Sequence, residues 1–386
     1  MGIVEKFIKE GQLTREEYPE LLHLYQDPDA VRLLREEAVR IQKKYFGNKI
    51  YTRGLIEFTN YCRNDCYYCG IRRSNKNVSR YRLTKEEILN RIKEGGVVGM
   101  GGAGFPTHVK LAPKDPSKIE YILVNGAECE PYITSDYRRM IEEPEKVVKG
   151  LQVILTLFDS AKGYICIEDN KPDCIEKLRE LTKDEPRMEV LALKTKYPQG
   201  GERSLIYATT GRSINSTMLP ADAGCIVHNV DTIYSIYMAV IEGKPLTKRI
   251  VTVTGDGVKE PGNFYVWLGM NYRQLLEAVG GVVGEPEKYI SGGPMMGFAM
   301  YSLDVPVIKG SSSLLVFQND VVSKLEETAC IRCGRCGEGC PSHLLPAKLA
   351  SFAAKNDEAG FVKFDGMECV MCGSCSYVCP AKRPLT

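Results

Sequence analysis

Eight cysteines near the end of the chain fall into two runs of one spacing: Cys330-x2-Cys333-x2-Cys336-x3-Cys340-Pro341 and Cys369-x2-Cys372-x2-Cys375-x3-Cys379-Pro380. Three thiolates on a tight loop can clasp three irons of one cube, while the fourth, three residues on and just before proline, reaches the neighbouring cube. The spacing therefore predicts two 4Fe-4S clusters. Cys330, Cys333, Cys336 and Cys379 would hold one, and Cys369, Cys372, Cys375 and Cys340 the other. Structural zinc fits poorly, because its paired CxxC knuckles lack the x3-Cys-Pro tail. Disulfides would need an oxidising compartment, and the opening MGIVEKFIKEGQ has no apolar run like a signal peptide, so a cytoplasmic location is expected. Cys129, Cys166, Cys174 and Cys225 are expected to be small buried residues.

Two other clusters of residues could do chemistry. Cys62-x3-Cys66-x2-Cys69 offers three thiolates to a further metal site, or a loop that stands without metal. Gly99-Met100-Gly101-Gly102-Ala103-Gly104-Phe105-Pro106-Thr107 strips side chains from a whole loop face, so that a phosphate or a flat ring can approach backbone N–H groups. The bland reading of that loop is tight packing of glycine turns. It lacks the G-x-G-x-x-G spacing of a dinucleotide fingerprint.

The elements that must position these residues follow from composition and pattern. With 386 residues, 44% hydrophobic and 26% charged, the chain can bury a substantial core in two to four domains. Lys+Arg 51 against Asp+Glu 49 leaves +2, so nothing in the balance calls for nucleic acid or an anionic membrane, and no apolar stretch is long enough to span a bilayer. Residues 1 to about 48 read as helices, with a Thr cap in GQLTREEYPELLHLYQ and a stop at Gly47. YTRGLIEFTNYC reads as a short buried strand leading into the first cysteine loop, and LTKEEILNRIKEGG as a capped helix ending at two glycines. Glycine-rich loops then alternate with apolar runs such as YILVNGAE and KGYICIED, which predicts an α/β domain to about residue 240. RIVTVTGDGVKEPGNFYVWLGMNYRQLLEAVGG reads as strand, turn, strand and capped helix of a small β-rich fold, ahead of a helical cysteine-bearing tail.

Four segments besides the glycine loop carry a resemblance: VNGAECEPYITSDYR, YPQGGERSLIY, LPADAGCIVHNVDT and the terminal dicluster. In this order, over about residues 85 to 386, they resemble the RnfC family, the NADH-oxidising peripheral subunit of the Rnf ferredoxin:NAD oxidoreductase. The middle region is also similar to the flavin-bearing subunit of respiratory complex I. The resemblance implies an α/β multidomain fold: an FMN/NADH-binding domain at 93–240, an SLBB-like β-grasp domain at 241–315 and a 4Fe-4S dicluster domain at 320–386. It implies that Gly99, Gly101, Gly102 and Gly104 cradle FMN with Lys110 near the phosphate. Asn125, Glu128, Glu130, Gly200, Gly201, Glu202 and Asn229 would complete the flavin and nucleotide pocket, and Phe105 would stack on a nicotinamide or adenine ring. Carboxylates there can accept from ribose hydroxyls; the bland reading of Glu128 and Glu130 is solvated loop carboxylates. Met100 and Gly201 stand where the complex I pattern has arginine and an acidic residue.

The surroundings of the first triad, GLIEFTNYCRNDCYYCGIRRSNKNVSRYRLTKEEIL, resemble the hydrogenase maturase HydE and, more loosely, biotin synthase, both radical S-adenosylmethionine enzymes. That resemblance implies a third 4Fe-4S cluster on Cys62, Cys66 and Cys69, its fourth iron open to S-adenosylmethionine, in a truncated barrel segment over residues 1–92. Only one strand and one helix of such a barrel are expected here, so the chain reads as a fusion of a maturase-like head to an RnfC-like body. The leading expectation is an oxidoreductase subunit that passes electrons between NADH, FMN and two clusters to or from ferredoxin or Rnf-type subunits, peripheral to a membrane at most. The alternatives are a radical S-adenosylmethionine maturase with its own cluster supply, and a flavin-free electron relay.

Overall fold

The computed structural model describes residues 2–47, 74–77 and 83–386. Cys62, Cys66 and Cys69, and the strand expected just before them, lie outside the described residues. The chain divides into two compact units, Met1–Leu55 and Ile56–Thr386.

The first unit holds α1 (Ile3–Glu10), α2 (Tyr18–His23) and α3 (Pro28–Phe46). Ile3, Val4 and Ala30 form its buried centre, with Ile8, Leu13, Leu21, Leu24 and Leu34 packed around them. Asp27 starts α3 by accepting from Asp29 N–H at 3.0 Å and Ala30 N–H at 3.4 Å, with Pro28 at the first helical position, where no donor is needed. The Thr cap expected near residue 14 is not formed. Thr14 N–H instead donates to Glu17 Oε2 at 3.0 Å, and α2 begins beyond it at Tyr18.

The second unit opens with α4 (Lys85–Glu94), whose start is a reciprocal capping box between Thr84 and Glu87 and whose end is Gly95. After α5 (Thr107–Lys110) come β1 (Tyr121–Gly126), α6 (Ser135–Glu142), α7 (Pro144–Leu155), β2 (Lys162–Glu168), α8 (Pro172–Thr182), β3 (Met188–Leu193), α9 (Glu202–Thr210), β4 (Cys225–Asn229) and α10 (Val230–Val240). The four strands are parallel in the order β3-β2-β1-β4. Alternate residues feed two cores, as a sheet covered on both faces requires. Ile122, Val124, Ile165 and Ile226 meet α4, α7, α8 and α10, whereas Leu123, Cys166 and Val227 meet Leu205 and Ile206 of α9.

A five-stranded sheet follows, built from β5 (Lys248–Thr254), β6 (Gly262–Trp267), α11 (Tyr272–Ala278), β7 (Lys288–Ser291), β8 (Phe298–Met300) and β9 (Ser313–Phe317). Its order is β6-β5-β9-β7-β8, parallel only between β5 and β9. Tyr272, Leu275 and Leu276 of the single helix pack on Val251, Val253 and Leu314. The tail carries α12 (Arg335–Glu338), α13 (Pro346–Ala353), α14 (Glu358–Lys363) and α15 (Ser374–Tyr377). No described helix is long and apolar enough to cross a membrane.

Candidate flavin crevice and cluster loops

In the parallel sheet the chain steps outward from β1 to β2 to β3, then returns to add β4 on the far side of β1. Open α/β sheets bind ligands where the order reverses, outside the carboxyl ends of the strands. Here those ends are Asn125 and Asn229, which are register partners. Asn125 Nδ2 donates to the Gly200 carbonyl at 2.8 Å, bringing the QGGER segment to the crevice. Gly200 has to be glycine, since a Cβ there would stand 2.2 Å from the Ala127 carbonyl oxygen. Asn229 caps α10 through Asp231 N–H and donates to Asp136 Oδ2 at 2.6 Å. Gly101 lies against it, its Cβ position 3.4 Å from Asn229 Cβ.

The glycine loop is closed at its base by a bridge between Val98 and Pro106 and by Gly99 N–H donating to the Phe105 carbonyl at 2.8 Å. Gly104 returns to the Gly99 carbonyl at φ 64, a left-handed turn that glycine makes without strain. Buried Met100 pins the loop from below, its N–H donating to Thr232 Oγ1 at 2.9 Å and its sulfur accepting from Ser235. Above that anchor Gly101, Gly102, Ala103 and Gly104 are exposed, and Phe105 is half-exposed at the rim. The N–H groups of Gly101, Gly102 and Ala103 make no hydrogen bond to any described residue. Buried donors and acceptors are almost always paired, yet Thr107 Oγ1, Gln199 Oε1 and His228 Nε2 are buried here without a partner, one in each of three crevice motifs. Free amides on a bare loop, beside three orphaned polar atoms at a switch point, fit a ligand that has both a phosphate and a polar ring system, as FMN does.

The remaining expected residues are already engaged. Lys110 Nζ pairs with Glu202 Oε1 at 2.8 Å, and Gly201 caps the start of α9. Glu128, half-buried, accepts from Asp136 N–H at 2.8 Å and Tyr137 N–H at 3.1 Å, so it caps α6. Glu130 accepts from Met295 N–H at 2.6 Å and Met296 N–H at 3.2 Å in the second sheet's domain. Neither is a solvated loop carboxylate, and each carboxylate keeps unused lone pairs. Burial first, and then the Asp136 charge, push the Glu128 carboxyl up. Burial, then Lys110, push His228 down to about 3, which keeps its imidazole neutral. Asp136, Gln199, His228 and Thr232 belong to motifs visible in the sequence, but only folding shows that Asp136 meets Asn229, that Thr232 holds the glycine loop and that Gln199 and His228 each bury an unpartnered atom. Cys166, Cys174 and Cys225 are buried as expected, whereas Cys129 is half-buried in the crevice and accepts from Gly200 N–H at 3.2 Å.

The two cysteine loops are near copies in backbone as well as sequence. Arg332 and Met371 sit at φ 58 and 50, and Gly334 and Gly373 at φ 80 and 79. Arg332 N–H points at Cys330 Sγ, and Met371 N–H at Cys369 Sγ, both at 3.4 Å. The fourth cysteines match too, with His343 and Lys382 left-handed three residues after each. Both loops thus aim a backbone amide at a cysteine sulfur, which fits cluster ligation.

Residues 92–238 match the family described as the Nuo51 FMN-binding domain, residues 250–299 the SLBB domain and residues 329–382 the 4Fe-4S dicluster domain. Over 274 residues, 71% of this chain, the sequence is 47% identical to the C subunit of the proton-translocating ferredoxin:NAD(+) oxidoreductase complex of Clostridium ljungdahlii, covering 60% of that protein. Over 274 residues it is 44% identical to the C subunit of the Na(+)-translocating ferredoxin:NAD(+) oxidoreductase complex of Acetobacterium woodii, covering 62% of it. The chain thus spans about 60% of the length of these relatives. The structure of an NAD+-reducing NiFe-hydrogenase in its air-oxidised state aligns with a TM-score of 0.53 at 21% identity, over 62% of this chain and 48% of that one. The H2-reduced state of such an enzyme aligns with a TM-score of 0.56 at 18% identity, over 76% and 60%. At these identities the likeness is one of fold. The three domain matches in series, with the identity to the C subunits of two such complexes, show that this chain, from its flavin-type domain through its dicluster tail, belongs to the RnfC family.

Proposed function

We propose that the chain is an RnfC-type electron-transfer subunit that uses FMN and two 4Fe-4S clusters to move electrons between NADH and a redox protein, ferredoxin or an Rnf-type subunit, at the surface of a membrane complex. The observation that carries this reading is the bare amide loop at the β1/β4 crevice, in the same compact unit as two cluster-shaped cysteine loops. FMN supplies the exchange between paired and single electrons that nicotinamides and clusters cannot make with each other. The residues present would hold it in a definite way. The Gly101, Gly102 and Ala103 amides, with Gly99 and Gly104 shaping their loop, take the phosphate, and Lys110 adds positive charge nearby. Asn125, Asn229 and Gly200 form the crevice floor. Phe105 offers a ring face to the nicotinamide or adenine, and the spare lone pairs of Glu128 and Glu130 suit ribose hydroxyls. Anaerobic purification with iron, sulfide and flavin quantitation tests this. The expected result is one FMN that bleaches on adding NADH, with at least the roughly eight irons of two clusters; a flavin-free protein would favour the simple relay.

For the N-terminal triad we propose a third cluster open to S-adenosylmethionine, on the spacing of Cys62, Cys66 and Cys69 alone. About twelve irons and release of 5'-deoxyadenosine on reduction would support it, and about eight irons would remove it.

A further inference from the structure

The two cysteine loops are alike in themselves but not in their attachments. The second is tied to the flavin-type domain by several independent bonds. Tyr197 OH donates to the Cys372 carbonyl at 2.8 Å. Just before the loop, Glu368 pairs with Arg203 at 2.8 Å and accepts from Ser216 N–H at 2.9 Å and Ser216 Oγ at 2.6 Å. Met295, held by Glu130, reaches to 3.5 Å from the Cβ position of Gly373. The first loop has nothing comparable: among the described residues, no hydrogen bond or ion pair joins residues 326–345 to a domain outside the tail. Exposure agrees, since Cys333, Gly334 and Arg335 are exposed whereas their equivalents Cys372, Gly373 and Ser374 are half-buried.

Tyr197 also sits on the segment that builds the crevice. Three residues later the Gly200 carbonyl takes the Asn125 amide, and the Gly200 N–H points at Cys129 Sγ. One short stretch of chain therefore touches both the flavin crevice and the carbonyl of a cluster ligand. Resting on the function proposed above, we infer that Tyr197 is a positioning residue that fixes the Cys369–Cys375 loop at the crevice. A cluster held by that loop would stand on the crevice side and be the first to accept electrons, and one held by the free Cys330–Cys336 loop would stand on the side of the redox partner. For each NADH oxidised to NAD+, one proton is released and two electrons leave singly along this route to a one-electron redox protein, which is reduced twice.

The test uses the full chain reconstituted anaerobically with FMN, iron and sulfide, in four forms: unaltered, Tyr197→Phe, Glu368→Gln and Arg335→Gln. EPR-monitored titration with dithionite should show that Tyr197→Phe and Glu368→Gln shift the potential of the same cluster signal and leave the other in place, while Arg335→Gln moves only the other. After rapid mixing with NADH, the Tyr197-sensitive signal should appear first. In Tyr197→Phe its appearance should slow by roughly tenfold with flavin bleaching unchanged, as misplacement of a reacting partner predicts. The assignment is overturned if the Arg335-sensitive signal appears first, or if Tyr197→Phe leaves both potentials unmoved. Glu368→Gln keeps the test decisive should Tyr197→Phe fail to fold. If NADH does not bleach the flavin, the function reading fails instead, while the dithionite titration still decides the role of Tyr197.

Discussion

At the scale of single residues, burial sets the chemistry. His228 is 3% exposed with Nε2 unpartnered, and its folded pKa of about 3 lies well below the ordinary 6.5. Above pH 6.5 both the folded and the unfolded chain carry it neutral, so its contribution to stability is complete there. As pH falls toward 3 the unfolded chain takes up a proton that the folded one refuses, and stability drops by about 1.4 kcal/mol per pH unit. His228→Gln should remove that part of the acid limb, read as a shallower loss of urea midpoint between about pH 6 and pH 5; equal slopes would mean that His228 protonates in place. Arg139 and Asp231 form a buried pair at 2.6 Å, with the guanidinium also bound by Glu143 and lying 3.5 Å from the Tyr234 ring centre. Asp231→Ala should cost about 3–5 kcal/mol in denaturant unfolding, because it leaves a buried cation short of its partner. The double change Arg139→Met with Asp231→Leu should recover part of that loss, and an additive double loss would refute the pairing argument.

At the scale of elements, local chemistry was legible and long-range order was not. The capping boxes at Thr84 and Asn271 and the glycine stop after α4 follow from neighbours in sequence, and the structure contains them. The strands around YILVNGAE and KGYICIED are runs of apolar residues that a doubly covered sheet demands. Thr14 misleads because a Thr followed three residues later by Glu is also what a lone turn looks like. The return of β4 beside β1, and the parallel pairing of β9 with β5, depend on contacts far apart in the chain that no local pattern records. The same holds for Gly150, which reads as a helix defect in KVVKGLQVIL. It is where α7 passes closest to α10, a Cβ there falling 2.2 Å from the Ile233 carbonyl oxygen. Although alanine is the better helix former, Gly150→Ala should destabilise by about 1–3 kcal/mol, since a backbone carbonyl cannot swing away. Gly337→Ala in α12, whose new methyl would meet nothing closer than 3.8 Å, is the matched control, expected to be neutral or stabilising by up to about 1 kcal/mol in the same thermal melt.

At the scale of the unit from Ile56 to Thr386, the segment after β1 joins domains as well as lining a pocket. Glu130 holds the Met295 and Met296 amides, and four residues on Thr134 binds the second sheet through Thr252 and Asn263. The sequence suggested a ligand role for Glu130 because its motif resembles one, but the tie to residues 165 positions away is invisible until the chain folds. Loss of the carboxylate would leave two amides without their acceptor, a cost of about 1–3 kcal/mol concentrated at that contact. Glu130→Ala should therefore speed amide hydrogen exchange at Met295 and Met296 while β1 to β4 keep their protection, with Thr134 still holding the two domains together. Adding Thr252→Val, which takes away the acceptor of the Thr134 N–H, should loosen that second grip and speed exchange at Thr134 as well. If Glu130→Ala instead leaves exchange at Met295 and Met296 unchanged and alters only nucleotide binding, the carboxylate serves the pocket and the domains are held without it, by Thr134 and by Lys309 Nζ on the Gly96 carbonyl.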